Sequence, residues 1–124
     1  MSGGNGKRAA AQVASLAPQA RTATANGASC DMAGFRSALV VVDVGTITDG
    51  AHTPKLQESD DNSTWSDVAA GDLEGTFANL ATATNQIVGY KGRKRFIRAV
   101  MTVAGAATGG VYGVVLVRVQ AMQA

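Results

Sequence analysis

The chain holds one cysteine, Cys30, and one histidine, His52. A thiolate beside an imidazole makes a nucleophile with its base. Neither context fixes such a pair. Cys30 follows a small-residue stretch near the N-terminus, and His52 lies in the loop-like "DGAHTP". The plain reading is a small buried thiol and an exposed histidine, and one of each cannot complete a zinc site. Carboxylates are richer: Glu58, Asp60, Asp67, Asp72 and Glu74 could pair as general acid and base. Nothing in their spacing sets a separation, and six aromatic residues leave little to line a sugar cleft. Asp60, Asp61 and Asn62 offer oxygens to calcium. An EF-hand loop, however, needs Asp-x-Asp-x-Asp-Gly and a later Glu between two helices. "SGGNGKR" lacks the preceding strand and the following Ser or Thr of a phosphate-binding P-loop. The expectation is no enzyme, no cofactor and no resident metal.

Charge points instead to surfaces. The net charge is only +2, but eight of the nine acidic residues lie between Asp43 and Glu74, alongside one base, Lys55. From Lys91 onward there are six basic residues and no acid. Such blocks can pair within the chain, between copies, or with a partner. "YKGRKRFIR" sets five bases around two aromatics. A general nucleic-acid binder would carry more basic surface elsewhere, so the expected partner is acidic protein rather than nucleic acid. The residues expected to touch partners are Lys7, Arg8, Arg21, Lys91, Arg93, Lys94 and Arg95 on the basic side. On the acidic side they are Glu58, Asp60 and Asp61. No apolar run approaches the roughly 20 residues of a membrane-spanning helix, and no membrane partner is expected. "KRAAAQVASLA" is too short and weakly hydrophobic for a secretory leader.

These residues need elements to hold them. Residues 1–34 read as an arm: a flexible start, two turns of helix in "AAAQVASLA" stopped by Pro18, and little to bury. Residues 35–124 read as one domain. "SALVVVDVG" is β-branched and too short for a buried helix, so it predicts a strand. Val40, Val42 and Val44 would share one face, and Leu39, Val41 and Asp43 the other. "TPKLQES" predicts a second strand, with Pro54 at its start or on an edge. Asp60–Ser63 are turn formers between strand-like flanks, a hairpin signature. Trp65 just beyond would roof the end of a core. "AAGDLEGTFANLATAT" predicts an irregular crossing anchored by Leu73, Phe77 and Leu80. "NQIVGYKG", "RFIRAVMTVAG" and "VYGVVLVRVQ" predict three further strands, the last two as a hairpin. The last strand is apolar on both faces, which predicts cover on the second from the arm or from another chain. The fold class is all-β, an antiparallel β-sandwich.

"PKLQESDDNSTWSDV" followed by "GYKGRKRFIRAVMTVAG" resembles a pattern in small virion proteins of tailed bacteriophages. There a strand runs into a D-[DGN]-S-x-W hairpin, and a later Y-x-G-x-[KR] strand completes the sandwich. The resemblance covers roughly Leu39 to Val119. Similar wording occurs in discoidin-type jelly rolls, whose framing cysteines are missing here. Asn62 stands where Gly is usual, which a positive-φ turn tolerates. The resemblance implies a jelly-roll-like sandwich with an extended N-terminal arm. It implies a decoration (cement) protein on the outside of a capsid, bridging capsomers and located in the virion after assembly in the host cytoplasm. The implied partners are the major capsid protein and other copies of the chain in a homo-oligomer. Head-tail connectors and tail components share the pattern. A carbohydrate-binding module using Trp65 as a platform is the rival from another class.

Overall fold

The computed structural model describes residues 10–120. Ten strands follow in order: β1 (Ala10–Arg21), β2 (Ala25–Asn26), β3 (Cys30–Asp31), β4 (Ser37–Ile47), β5 (Ala51–Ser59), β6 (Ser66–Asp67), β7 (Leu73–Glu74), β8 (Asn85–Tyr90), β9 (Phe96–Ala104) and β10 (Gly110–Val119). The chain is all-β, as expected: two antiparallel sheets packed as a sandwich. One sheet runs β1-β10-β4-β8-β7 and the other β2-β9-β5-β6, with β3 also on β9. Counting β2 with β3, and setting aside the two-residue edge strand β7 beside β8, eight strand positions remain. They are ordered 1-8-3-6 over 2-7-4-5, the winding of a jelly roll.

Alternation builds the core. In β4, Ala38, Val40, Val42 and Val44 point inward, because successive side chains leave a strand on opposite faces. Tyr112, Val114 and Leu116 of β10 join them from the same sheet, and Leu56, Ile97, Ala99 and Met101 close the core from the other. Burying each such large aliphatic side chain contributes about 1.5–3 kcal/mol. Leu80 is buried, while Leu73 and Phe77 pack at the core's margin, anchoring the irregular crossing. Pro54 lies inside β5 opposite Met101. Strand β6 covers only Gln57 and Glu58 on the far side of β5, so Pro54 faces an open edge that needs no N–H.

Two expectations change. From Ala10 onward the expected arm is part of the sandwich: β1 pairs with β10 along its length, and β2 and β3 pair with β9. The expected short helix is the strand β1. An isolated helix of that length is marginal in water, whereas β10 offers it a full ladder. Pro18 is accommodated where the register shifts between Leu16 and Gln19. The expected hairpin of β9 with β10 also does not form, since the two belong to opposite sheets. Gly105 and Gly109, at φ of 69° and 84°, turn the chain across the top of the sandwich. The Asp49 carboxylate accepts N–H bonds from Ala107, Thr108 and Gly109 there.

Candidate functional site

The candidate carboxylates and bases gather at one end of the sandwich, where β5 and β8 finish and β9 begins. The bend after β5 is built by its own side chains. Asp61 accepts from the Ser63 and Thr64 N–H groups at 2.9 and 2.7 Å and from the Ser59 hydroxyl at 2.9 Å. Those donors hold its carboxyl down at about 2, because they favour the charged form. Asn62 takes φ of 60° as the turn requires. The Asp61 oxygens are thus spent on the turn. Among the described residues no three or more His, Cys, Asp or Glu side chains gather in a way that could hold a metal.

The bend and the basic turn are locked together. Tyr90 donates its hydroxyl to Glu58 at 2.9 Å and accepts the Lys94 N–H at 3.2 Å. Burial, then the Glu58 bond, pushes the Tyr90 hydroxyl well above its ordinary range. Lys94 pairs with Asp60 at 2.8 Å. Arg95 makes two bonds to Asp31 at 3.0 and 3.2 Å, which lower the Asp31 carboxyl. Glu58, Asp60, Lys94 and Arg95, expected to face partners, therefore first meet one another or Asp31 and Tyr90. One open corner at this end, of about 460 Å³, is lined by Arg36, Ser37, Glu74, Lys91 and Arg93; a second hollow of about 330 Å³ is lined by Glu58, Asp60, Asp61 and Lys94. Arg21 is not there. It lies opposite Gly110, at the other end of β10, about 30 Å away at the rise of a strand. Lys7 and Arg8 lie outside the described residues.

Cys30 and His52 are not a pair. Cys30 stands opposite Ile97 and His52 opposite Val103 on either side of β9. Six residues of strand separate those positions, about 20 Å. The thiol is buried, which pushes its pKa up. His52 is not an exposed loop residue: it is 1% exposed within β5. Its ring bonds Tyr112 Oη at 2.8 Å and the Asp49 carbonyl at 2.9 Å. With Nε2–H donating to the carbonyl, Nδ1 accepts from the tyrosine, and both buried groups are satisfied. Trp65 also departs from expectation. It lies outside the core cluster, with the Arg98 guanidinium 4.4 Å over its ring. Arg98 in turn donates to Gln57.

The two outer faces differ sharply. That of the β5–β9 sheet is polar and cross-linked: Arg98–Gln57, Gln57–Asp67 and Lys55–Asp67. The outer face of the β4–β10 sheet is apolar, with Leu39, Ile87 and Val111 exposed by 41, 63 and 44%. Its signal was legible in the sequence as two apolar faces on one strand. Sequence reasoning missed Ser15, Asp31, Arg36, Tyr90 and Arg118. Arg118 bonds the Asp31 carbonyl and lies over Phe35. Only pairing across distant segments makes such residues stand out.

No protein-family pattern matches the chain, and no curated protein does. Among solved structures the chain is similar to one chain of the structure of infectious bursal disease virus, Gx strain. The identity is 12% and the TM-score 0.43. The match covers 90% of this chain and 32% of that one, so this chain spans about a third of that chain's length.

Proposed function

We propose that this chain is a virion structural protein that binds the outside of a bacteriophage capsid and braces neighbouring capsomers, without catalysis. The observation that carries the reading is the joining of the two sequence segments that resemble small phage virion proteins. The "DDNSTW" bend and the "YKGRKRF" turn are one unit, tied by Tyr90–Glu58 and Lys94–Asp60. The jelly-roll winding agrees with this reading but does not select it, because shells, lectins and cupins all use it. Several side chains that could do chemistry are engaged locally: Asp61 pins the bend, Glu58 and Asp60 hold the basic turn, and Asp67 pairs with Lys55. The surface left over is a basic corner and a broad apolar face, which suits pressing against protein. The corner of Arg36, Lys91 and Arg93 would steer docking onto an acidic rim of the shell. Many weak contacts on one particle would sum by avidity. The sugar-platform reading is disfavoured by Arg98, which occupies one face of the Trp65 ring.

The test is co-sedimentation of the purified protein with empty shells that lack it, followed by the temperature at which those shells rupture. Binding that raises the rupture temperature, and that weakens in Lys91→Glu/Arg93→Glu, is the expected result. Pelleting with isolated tails or connectors instead would move the protein to that site. Failure to pellet with any particle refutes the proposal. An arm deletion must stop before residue 10, since a longer one removes β1 from the sheet.

A further inference from the structure

We propose that the outer face of the β1-β10-β4-β8 sheet is the contact surface between two copies of this chain. The inference goes beyond the shell-binding reading and does not depend on it. Across the centre of the face runs a row of Ala14, Val115, Val41 and Ile87, in ladder register. Beside it run Val117 and Leu39, and on the other side Gly113, Asp43 and Asn85. The row is uneven in a useful way. Ile87 at one side stands 63% exposed, while the β1 side is low, with Ala14 and with Pro18 against Gly113. Between β10 and β4, with Pro18 at its rim, Val41, Asp43, Val111, Gly113 and Val115 line a groove of about 410 Å³.

Symmetry turns that unevenness into complementarity. A two-fold axis parallel to the strands sends the β8 side of one copy over the β1 side of the other, within the same row. Each Ile87 then drops onto Ala14 of its partner. An axis across the strands would set Ile87 on Ile87 and leave the low side empty. The area is sufficient. Nine residues on each of β1, β10 and β4 and the six of β8, at about 3.3 Å per residue and 4.8 Å between strands, give a face of roughly 500 Å². Two such faces bury roughly 1,000 Å², about the least a biological interface needs. The chemistry also fits a like partner. The charged member of the central rows is Asp43, and with its amide turned toward it Asn85 donates to Asp43 at 2.8 Å. Asp43 falls opposite Gly113, beside the Pro18 ring. Aligned packing of two such sheets is a common arrangement.

The experiment is sedimentation equilibrium of the full chain over a concentration series. The 12.6 kDa chain should double in mass with a dissociation constant of about 10 μM, at the weak end for interfaces of this size. Ile87→Lys and Leu39→Lys, both at exposed positions, should each weaken association at least about tenfold while keeping the β-sheet circular dichroism. Ala14→Cys/Ile87→Cys should form a disulfide-linked dimer, and Ile87→Cys alone should not. Wild-type protein that stays monomeric overturns the proposal, as does a dimer indifferent to both lysine variants. A monomer whose Ile87→Lys variant no longer pellets with shells would assign the face to the shell and likewise overturn it. Shell binding that fails while the dimer persists would sink only the capsid reading.

Discussion

Ser15 joins the two sheets at their open edge, and its removal has a calculable cost. It sits in β1, 5% exposed, where the ladder to β10 shifts register. Its hydroxyl donates to the Ala28 carbonyl at 2.8 Å and accepts the Ala99 N–H at 3.0 Å. Ala99 belongs to β9 in the opposite sheet and is 2% exposed. Gly27 packs so closely on Ser15 that a Cβ there would collide with the hydroxyl. In Ser15→Ala the Ala28 carbonyl, on an exposed residue, can turn to water, but the Ala99 N–H is stranded. A buried donor without a partner costs about 1–3 kcal/mol. At roughly 4 °C per kcal/mol for a domain of this size, Tm should fall by about 4–12 °C. Thr24 supplies the control. Its hydroxyl accepts the Val103 N–H at 3.0 Å from the same strand, but in an exposed setting. Thr24→Ala should cost no more than about 0.5 kcal/mol, because water replaces the hydroxyl. Urea unfolding at constant m-value measures both. Equal costs, or a Ser15→Ala cost below about 0.5 kcal/mol, would refute burial as the source of the difference.

Three further outcomes follow from the same geometry. Asp61, Asp49 and Asp31 all have lowered carboxyl pKa values, through the Ser63 and Thr64, the Gly109 and Thr108, and the Arg95 bonds respectively. A group depressed in the folded state contributes stability above its unfolded value near 3.9 and loses it as pH falls through the folded value. Stability should therefore hold at pH 5 and decline from about pH 4 toward about 2, and Asp61→Ala should flatten that slope in denaturant titrations. Trp65→Ala should leave the fold intact and cost about 1 kcal/mol, since the ring lies outside the core against Arg98; wholesale unfolding by circular dichroism would contradict this placement. Gly109→Ala should cost about 3 kcal/mol or more, because its φ is 84° and a Cβ would run into the Arg21 carbonyl; a Tm within a few degrees of wild type would refute that.

Strands whose pattern is local were legible in the residues alone. Val40, Val42 and Val44 alternate against Leu39, Val41 and Asp43, and a pleated strand sends such sets to opposite faces whatever lies nearby. The turn at Asp60–Ser63 was legible for the same reason, since short polar side chains bond their own backbone. Tertiary structure alone decided which sheet each strand joined. Nothing in "AAAQVASLAPQAR" distinguishes an arm from an edge strand until β10 presents its ladder. The glycine-rich link from β9 to β10 reads as a hairpin, yet the two inner faces it connects must lie on opposite walls of one core. The same holds for the surface. Blocks of opposite charge were visible in the chain, but only folding showed Glu58, Asp60, Lys94 and Arg95 satisfying neighbours at home. Leu39, Val41 and Ile87 were left facing outward, because a sheet with its inner face already packed has no core to offer its second one.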